Sequence, residues 1–276
     1  MIEANGVELC TSSFGNRVDP PILLIMGVGA SMLWWEEGFC RLLADGDRFV
    51  LRYDHRDTGR SVTYEPGRPE YTGADLVADA VAVLDAYGIG AAHLVGVSAG
   101  GAFAQLLALR FPNRVRSLVL ISTSPALSVD RDLPSPTERY HRFVASAKVD
   151  WSDKESVIEY LVGYARMLAG DERSFDEKAA RELVHRDVER ARDISASENH
   201  GAISSGPLPD DPLSSIEVPT LVIHGTADPM FPPEHGQALL DSIPRAELLT
   251  LDRAGHGVVR ADWEEIVSAI IRHTAA

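Results

Sequence analysis

Short apolar runs alternate with helix-period segments along most of the chain. The runs, five or six residues long and rich in Val, Ile and Leu, cover residues 7–12, 22–26, 49–53, 93–97, 118–122, 220–224 and 247–251. Continuous apolarity over so few residues indicates strands buried on both faces. Segments with apolar residues at helical spacing lie between the runs, at 34–43, 73–87, 101–111, 234–242 and 258–272. This alternation predicts a mostly parallel sheet flanked by helices.

The first two runs are separated by turn residues, Gly15 and Asn16, which predicts an antiparallel pair at the amino-terminal edge. We therefore expect a mixed sheet of eight strands.

Residues 125–212 interrupt the alternation. They contain no strand-like run and form helical pieces at 137–148, 154–169 and 175–199, separated by Pro and Gly. An apolar stripe on these helices needs a partner surface. Ligands of open α/β sheets bind at the carboxyl edge of the strands, so we expect a helical cap over that edge. The predicted core is then 1–124 and 213–276, with the 125–212 cap inserted after strand 6.

Composition restricts the possible functions. A chain of 276 residues with 45% hydrophobic content can bury one large α/β core. The formal charge of −15 argues against nucleic acid and against an anionic membrane surface as partners. Residues 1–10 lack Lys, Arg and a continuous apolar stretch, so we expect no secretory signal and a cytoplasmic protein. Cys10 and Cys40 form neither a disulfide framework nor a zinc set.

A serine stands between one predicted strand and one predicted helix. Residues 96–100 read Gly-Val-Ser-Ala-Gly, with Ser98 at the centre. A serine in this context sits on a sharp turn that exposes its hydroxyl and directs free helix N–H groups toward it. The alternative interpretation is an ordinary Ser/Gly turn or a helix N-cap. The strand, turn and helix together favour a nucleophile.

A serine nucleophile needs a base and a group that orients the base. Of nine histidines, His256 lies in a small-residue turn directly after the last strand-like run. Asp228 follows the 220–224 run, at the same predicted edge of the sheet. The chain order Ser98, Asp228, His256 is that of one serine-hydrolase fold and differs from the order in two others.

Acyl transfer also needs two N–H donors for the developing oxyanion. The backbone of Ala99, directly after the serine, supplies one. The loop after the 22–26 run contains Gly27, Val28 and Gly29, and we assign the second donor to Val28. No metal and no cofactor is needed for this chemistry.

These residues resemble the α/β-hydrolase family. The resemblance rests on residues 26–35, on 53–61 (Tyr-Asp-His-Arg-Asp-Thr-Gly-Arg-Ser) and on the turns around Ser98, Asp228 and His256. Residues 53–61, 79–85 and 228–236 are similar to the aclacinomycin methylesterase-like subgroup, which also has Met-Gly at positions 26–27. The resemblance implies that Asp54, Arg56 and Ser61 are scaffold residues. The resemblance to this subgroup does not extend to the cap, residues 125–212. It therefore does not imply that this protein acts on the subgroup's substrate.

We expect a serine hydrolase that cleaves a carboxylic ester or lactone of an apolar small molecule, as a monomer or homodimer. The candidate pocket residues are small, aromatic or apolar: Gly27, Trp34, Trp35, Phe143, Trp151, Tyr160, Tyr164 and Met167. Enol-lactonase, carbon–carbon bond hydrolase and cofactor-free perhydrolase or haloperoxidase activities stay open, since similar triads perform them. A non-catalytic small-molecule receptor is the alternative from another class.

Overall fold

The computed structural model describes residues 1–275, and Ala276, the last residue of the predicted core, lies outside them. The strands are β1 (Ile2–Ala4), β2 (Val7–Leu9), β3 (Thr11–Phe14), β4 (Pro21–Ile25), β5 (Phe49–Tyr53), β6 (Ala92–Val97), β7 (Val115–Ile121), β8 (Thr220–Gly225) and β9 (Ala246–Leu251). The helices are α1 (Glu37–Asp45), α2 (Gly73–Ala86), α3 (Ala99–Arg110), α4 (Glu138–Ser146), α5 (Lys154–Leu168), α6 (Glu177–Arg190), α7 (Glu234–Ser242) and α8 (Trp263–His273).

Seven strands form the main sheet, in the order β3-β5-β4-β6-β7-β8-β9. Every neighbouring pair is parallel except β3 and β5. The mostly parallel α/β architecture is therefore as predicted. Because parallel strands end at a common edge, the loops after β4, β6, β8 and β9 meet there.

The predicted count of eight strands is wrong. The 7–12 run divides at Cys10: β2 pairs only with β1, with Ile2 opposite Leu9, whereas the sheet begins at Thr11. Asn5 and Gly6 have φ of 50° and 75°, the left-handed pair that closes a two-residue hairpin. Because β2 pairs with β1 in this hairpin, it does not join the main sheet. The main sheet therefore has seven strands.

Three further features differ from the prediction. The antiparallel edge strand β3 pairs with β5, not with the next strand along the chain. The helices α4–α6 follow β7, which is the fifth strand of the main sheet along the chain and not the sixth. The predicted helix 175–199 is interrupted after Arg190 and continues as a 3₁₀ helix, Ile194–Gly201.

The sheet has a hydrophobic cluster on each face. Leu23 and Ile25 point to the face covered by α2 and α3, whereas Ile22 and Leu24 point to the face covered by α1 and α8. This alternation is the two-residue period of a strand buried on both sides.

The helices α5 and α6 form a third cluster between them, made by Val157, Ile158, Val162, Val184 and Val188. No helix within residues 1–275 has the length and hydropathy to cross a bilayer.

Candidate active site

Ser98 occupies the single residue between β6 and α3. Its φ of 55° and ψ of −126° lie outside the regions that non-glycine residues ordinarily adopt. Its small neighbours permit this turn, because a Cβ on Gly96 would overlap the Gly100 carbonyl and a Cβ on Gly100 would overlap the Ile25 carbonyl. The strained turn places a half-buried serine at the start of a helix.

The strand β7 and the residues directly after it hold this turn in position. The Ser98 N–H donates to the Ile121 carbonyl at 2.9 Å, and the Thr123 hydroxyl donates to the Ser98 carbonyl at 2.6 Å. The backbone of Ser98 is thus fixed from the neighbouring strand while its hydroxyl takes no part in these bonds.

Asp228 and His256 are in direct contact. The His256 Nδ1 lies 2.8 Å from Asp228 Oδ2, and the N–H groups of Met230 and Phe231 donate to Asp228 Oδ1 at 2.9 Å each. Burial raises the pKa of the Asp228 carboxyl, but His256 and these hydrogen bonds outweigh burial, so its pKa lies below the ordinary value. Asp228 is therefore an ionised acceptor that fixes the proton of His256 on Nδ1 and leaves Nε2 as the basic nitrogen.

The His256 loop is attached to the serine turn through β7. The Gly257 N–H donates to the Ser122 hydroxyl at 3.1 Å, one residue from Ile121, which holds Ser98. Within residues 1–275 the side-chain hydrogen bonds include none between Ser98 and His256. Such bonds are often long without substrate and shorten in the reacting complex.

The loop of residues 26–29, which we call the β4 loop, lies against Ser98. A Cβ on Gly27 would be 3.2 Å from Ser98 Cβ and 3.7 Å from Ser98 Oγ. Among the backbone hydrogen bonds of the described chain, none uses the N–H of Val28 or of Ala99 as donor. The N–H groups of Ala99, which directly follows Ser98, and of Val28, which directly follows Gly27, are thus without a backbone partner in this part of the chain.

The segment that follows the β4 loop is held by α6, which the sequence did not indicate. Asp187 on α6 accepts hydrogen bonds from the Ser31 hydroxyl at 2.5 Å and from the Trp34 indole N–H at 2.8 Å. Burial raises the pKa of the Asp187 carboxyl. Arg190 donates to both oxygens of Asp54, at 3.0 and 2.6 Å. These contacts join positions more than 130 residues apart, so no local pattern could reveal them.

The scaffold residues lie beside this region. Asp54 is fully buried and also accepts the Met32 N–H at 2.9 Å. Arg56 forms a two-point ion pair with Asp79 at 2.7 and 2.8 Å, and the Ser61 hydroxyl donates to the Asp54 carbonyl at 2.7 Å.

The candidate pocket residues divide into two groups. Phe143, Tyr160 and Tyr164 form an aromatic cluster with centroids 5.8 to 6.5 Å apart, and Trp151 lies 5.9 Å from Tyr160. Met167 is buried at the end of α5, and Trp34 packs against the α5–α6 cluster.

Trp35 does not belong with these residues. It is 1% exposed and stacks on Phe39 at 5.5 Å within the cluster beneath the sheet. The 3₁₀ turn Met32–Trp34 places adjacent tryptophans on different sides, so the assignment of Trp35 to a pocket wall is corrected to the core.

Within residues 1–275 no group of three or more His, Cys, Asp or Glu side chains is arranged to hold a metal ion.

Comparison with known proteins identifies the family. The family model described as alpha/beta hydrolase fold matches residues 20–259. The chain is 34% identical to a rhodomycin D methylesterase of Streptomyces sp. (strain C5) and 33% identical to one of Streptomyces peucetius, each alignment covering 100% of this chain and 98% of the relative. The enol-lactonase structure from Burkholderia xenovorans LB400 has a TM-score of 0.75 and 25% identity, and the match covers 100% of this chain and 99% of that chain.

These findings confirm the predicted fold and the predicted class, a hydrolase acting on ester bonds. The chain belongs to the α/β-hydrolase family.

Proposed function

We propose that the protein hydrolyses a carboxylic ester of a largely apolar small molecule through an acyl-enzyme on Ser98. The observation that carries the proposal is the 2.8 Å contact of Asp228 with His256 Nδ1, beside a serine held at φ 55°. The methylesterase relatives, similar over the whole chain, support a methyl ester as the bond cleaved and methanol as the first product.

The reaction has two halves. Ser98 Oγ attacks the ester carbonyl while His256 Nε2 accepts its proton, and the same proton passes to the departing alkoxide, which leaves as the alcohol. Water then attacks the acyl-enzyme with His256 as base, which releases the acid and restores Ser98. Ionised Asp228 stabilises the imidazolium that forms in each half.

We assign the oxyanion hole to the N–H groups of Val28 and Ala99. Neither has a backbone partner in the described chain; Ala99 directly follows Ser98, and Val28 follows Gly27, which lies against Ser98. Each donor of this kind lowers the barrier by roughly 3 kcal/mol.

We further propose that residues 125–212 form a cap whose aromatic cluster contacts the acyl or alcohol group. Phe143, Trp151, Tyr160 and Tyr164 give a large apolar surface with polar tips, which suits an aromatic or polycyclic substrate better than a charged one. Gly27, Trp34 and Met167 complete the proposed wall. A cytoplasmic location and a monomeric or homodimeric state stay predictions from the sequence.

An enol-lactone is the second candidate substrate, because the likeness to the enol-lactonase structure extends over both chains. The same acyl-enzyme would form, but the leaving group would stay attached to the acyl chain. A panel of aromatic methyl esters and enol-lactones distinguishes the two: methanol release supports the methylesterase, and ring opening without any methyl ester turnover supports the lactonase.

The proposed nucleophile is tested by covalent labelling. A fluorophosphonate should modify wild-type protein at Ser98, which peptide mass spectrometry locates, and Ser98→Ala should lose both labelling and esterase activity. Ser13→Ala, an exposed serine in β3, is the matched control and should retain both. Absence of labelling at Ser98 together with ligand binding would support the receptor alternative.

A further inference from the structure

Two buried histidines hold the two ends of the β4 loop. The His55 Nε2–H donates to the Met26 carbonyl at 2.9 Å, and the Gly29 N–H donates to His200 Nδ1 at 2.8 Å. Their rings are perpendicular, with centroids 6.0 Å apart. The free N–H of Val28 lies between these two anchors along the chain.

The hydrogen bonds fix the tautomer of His200. Because a backbone N–H can only donate, Nδ1 of His200 must carry a lone pair, and the proton is then on Nε2. That proton is donated to the Arg56 carbonyl at 2.8 Å. Both ring nitrogens therefore have a defined partner only while the imidazole is neutral.

The surroundings of His200 favour this neutral form. The residue is 6% exposed, and burial lowers the pKa of its imidazole to about 4, with His55 adding to the effect. Asp57 and the backbone of Arg56 act in the opposite direction and are weaker. The ring of Tyr71 packs against that of His200 in a T-shaped arrangement, with centroids 6.2 Å apart. The Tyr71 hydroxyl donates a hydrogen bond to Asp57.

The position of His200 does not depend on the β4 loop. It lies on the 3₁₀ helix Ile194–Gly201, beside Asn199, whose side chain accepts the Gly67 N–H at 2.7 Å and donates to Asp57 at 2.9 Å. Asn199 is fully buried. The acceptor atom presented to Gly29 is thus fixed by the scaffold.

Gly29 connects this fixed acceptor to the residue that carries the proposed donor. Its φ of +73° is left-handed, and its N–H is one peptide unit beyond that of Val28. Because Gly29 directly follows Val28, a shift of the β4 loop that breaks the bond to His200 also displaces the Gly27–Val28 peptide, which carries the Val28 N–H.

We infer that His200 is a positioning residue for the oxyanion hole: by accepting the Gly29 N–H, it holds the Val28 N–H toward the serine site. The inference rests on the proposed function and extends it to a residue on the 3₁₀ helix that follows α6 in the inserted segment. His200 acts through the backbone and does not touch the substrate.

The test compares steady-state kinetics of His200→Phe, which keeps a ring but has no acceptor, with those of His200→Gln. We expect His200→Phe to lower kcat about 10- to 100-fold with KM changed less than about threefold, because complete loss of one oxyanion donor costs about 100- to 1000-fold. The amide of Gln can accept from Gly29 and donate to Arg56, so His200→Gln should recover part of kcat. His185→Phe, an exposed histidine on α6, is the control.

A transition-state analogue separates positioning from a general loss of structure. An aryl trifluoromethyl ketone forms an oxyanion on Ser98, whereas the matching carboxylic acid product does not. His200→Phe should weaken binding of the ketone at least tenfold and binding of the acid less than about threefold. Equal weakening of both, or an unchanged kcat in a folded variant, would overturn the inference.

The tautomer is measured on the unmodified protein, so the inference stays testable if His200→Phe does not fold. Nitrogen NMR of histidine-labelled protein should show His200 with a bare Nδ1 and a protonated Nε2 at neutral pH, and a proton on Nδ1 would contradict it. Ser98→Ala in the same kinetic assays distinguishes failure of the proposed function from failure of the inference about His200. If Ser98→Ala keeps its activity, the proposed function itself is wrong.

Discussion

The backbone N–H of His256 donates a hydrogen bond of 2.8 Å to the carbonyl oxygen of Leu168, the last residue of α5. The final carbonyls of a helix lack partners within the helix and form the negative end of its dipole. The proposed base therefore caps α5, and α5 places partial negative charge near an imidazole that becomes positive during the reaction. Gly170, with φ of +76°, lies next to the Ala227 carbonyl, so the same helix end also reaches the Asp228 loop.

Gly255→Ala should test this contact. A Cβ there would overlap the carbonyl of Leu168 and the backbone of Ala169, so the end of α5 or the His256 loop must move. We expect a loss of about 1–3 kcal/mol in unfolding free energy, typical of overpacking, and a lower kcat. Gly90→Ala, where a Cβ meets no atom within 4 Å, is the control and should behave as wild type. An unchanged kcat for Gly255→Ala would show that the contact does not set the position of His256.

Asp228→Asn should reduce kcat by about 10⁴-fold, as loss of the orienting acid does in serine hydrolases. The two N–H groups of Met230 and Phe231 would select the amide oxygen, which leaves the amide N–H₂ facing His256 and favours the wrong tautomer. The rate is measured on a methyl ester at neutral pH. Asp252→Asn, an exposed carboxylate one residue after β9, is the control. A loss below tenfold for Asp228→Asn would remove Asp228 from the proposed triad.

Arg190→Met should destabilise the protein by about 3 kcal/mol, because it leaves Asp54 as a buried charge without its cation. The exposed pair of Arg142 with Glu138 gives the comparison, and Arg142→Met should cost less than about 1 kcal/mol. Urea denaturation followed by circular dichroism measures both. Equal effects of the two substitutions would mean that the ion pair between α6 and the core contributes no more than a surface pair.

Acid should weaken the fold between pH 6.5 and 4 in part through His93. Burial lowers the pKa of His93 to about 4 from 6.5, with Arg116 and Arg48 adding to the effect. In this window the unfolded chain binds a proton that the folded chain does not, so stability falls as pH falls. His93→Gln cannot titrate, and its melting temperature should decline less than that of wild type over the same range. Parallel declines would contradict the assignment.

Much of the candidate site follows from local patterns. Ser98, Asp228 and His256 each follow an apolar run, and parallel strands bring such positions to one edge of a sheet. The contact of Asp228 with His256 was therefore predictable from the sequence.

The supports of the β4 loop were not predictable. His200 and Asp187 act on positions 171 and 156 residues away, and as isolated residues they look like ordinary members of a helical segment. The assignment of Trp35 to the pocket was wrong for a related reason. The sequence shows two adjacent tryptophans, Trp34 and Trp35, but does not indicate which of the two rings enters the core. The division of the first run at Cys10 depends on the Asn5–Gly6 turn, whose effect on pairing is not visible in hydropathy alone.

The hydrogen bonds that His200 and Leu168 make with the core restrict how substrate preference can be changed by exchange of segments. Replacing all of residues 125–212 with the corresponding segment of a relative would also exchange the acceptor for Gly29, the carboxylate that holds Ser31 and the helix end whose carbonyl holds His256. A functional chimera therefore has to be cut inside the insertion, before Leu168, so that α4 and most of α5 are exchanged. Among natural relatives, new specificities should accordingly arise by substitutions on those two helices, while α6 and the 3₁₀ helix are inherited with the core.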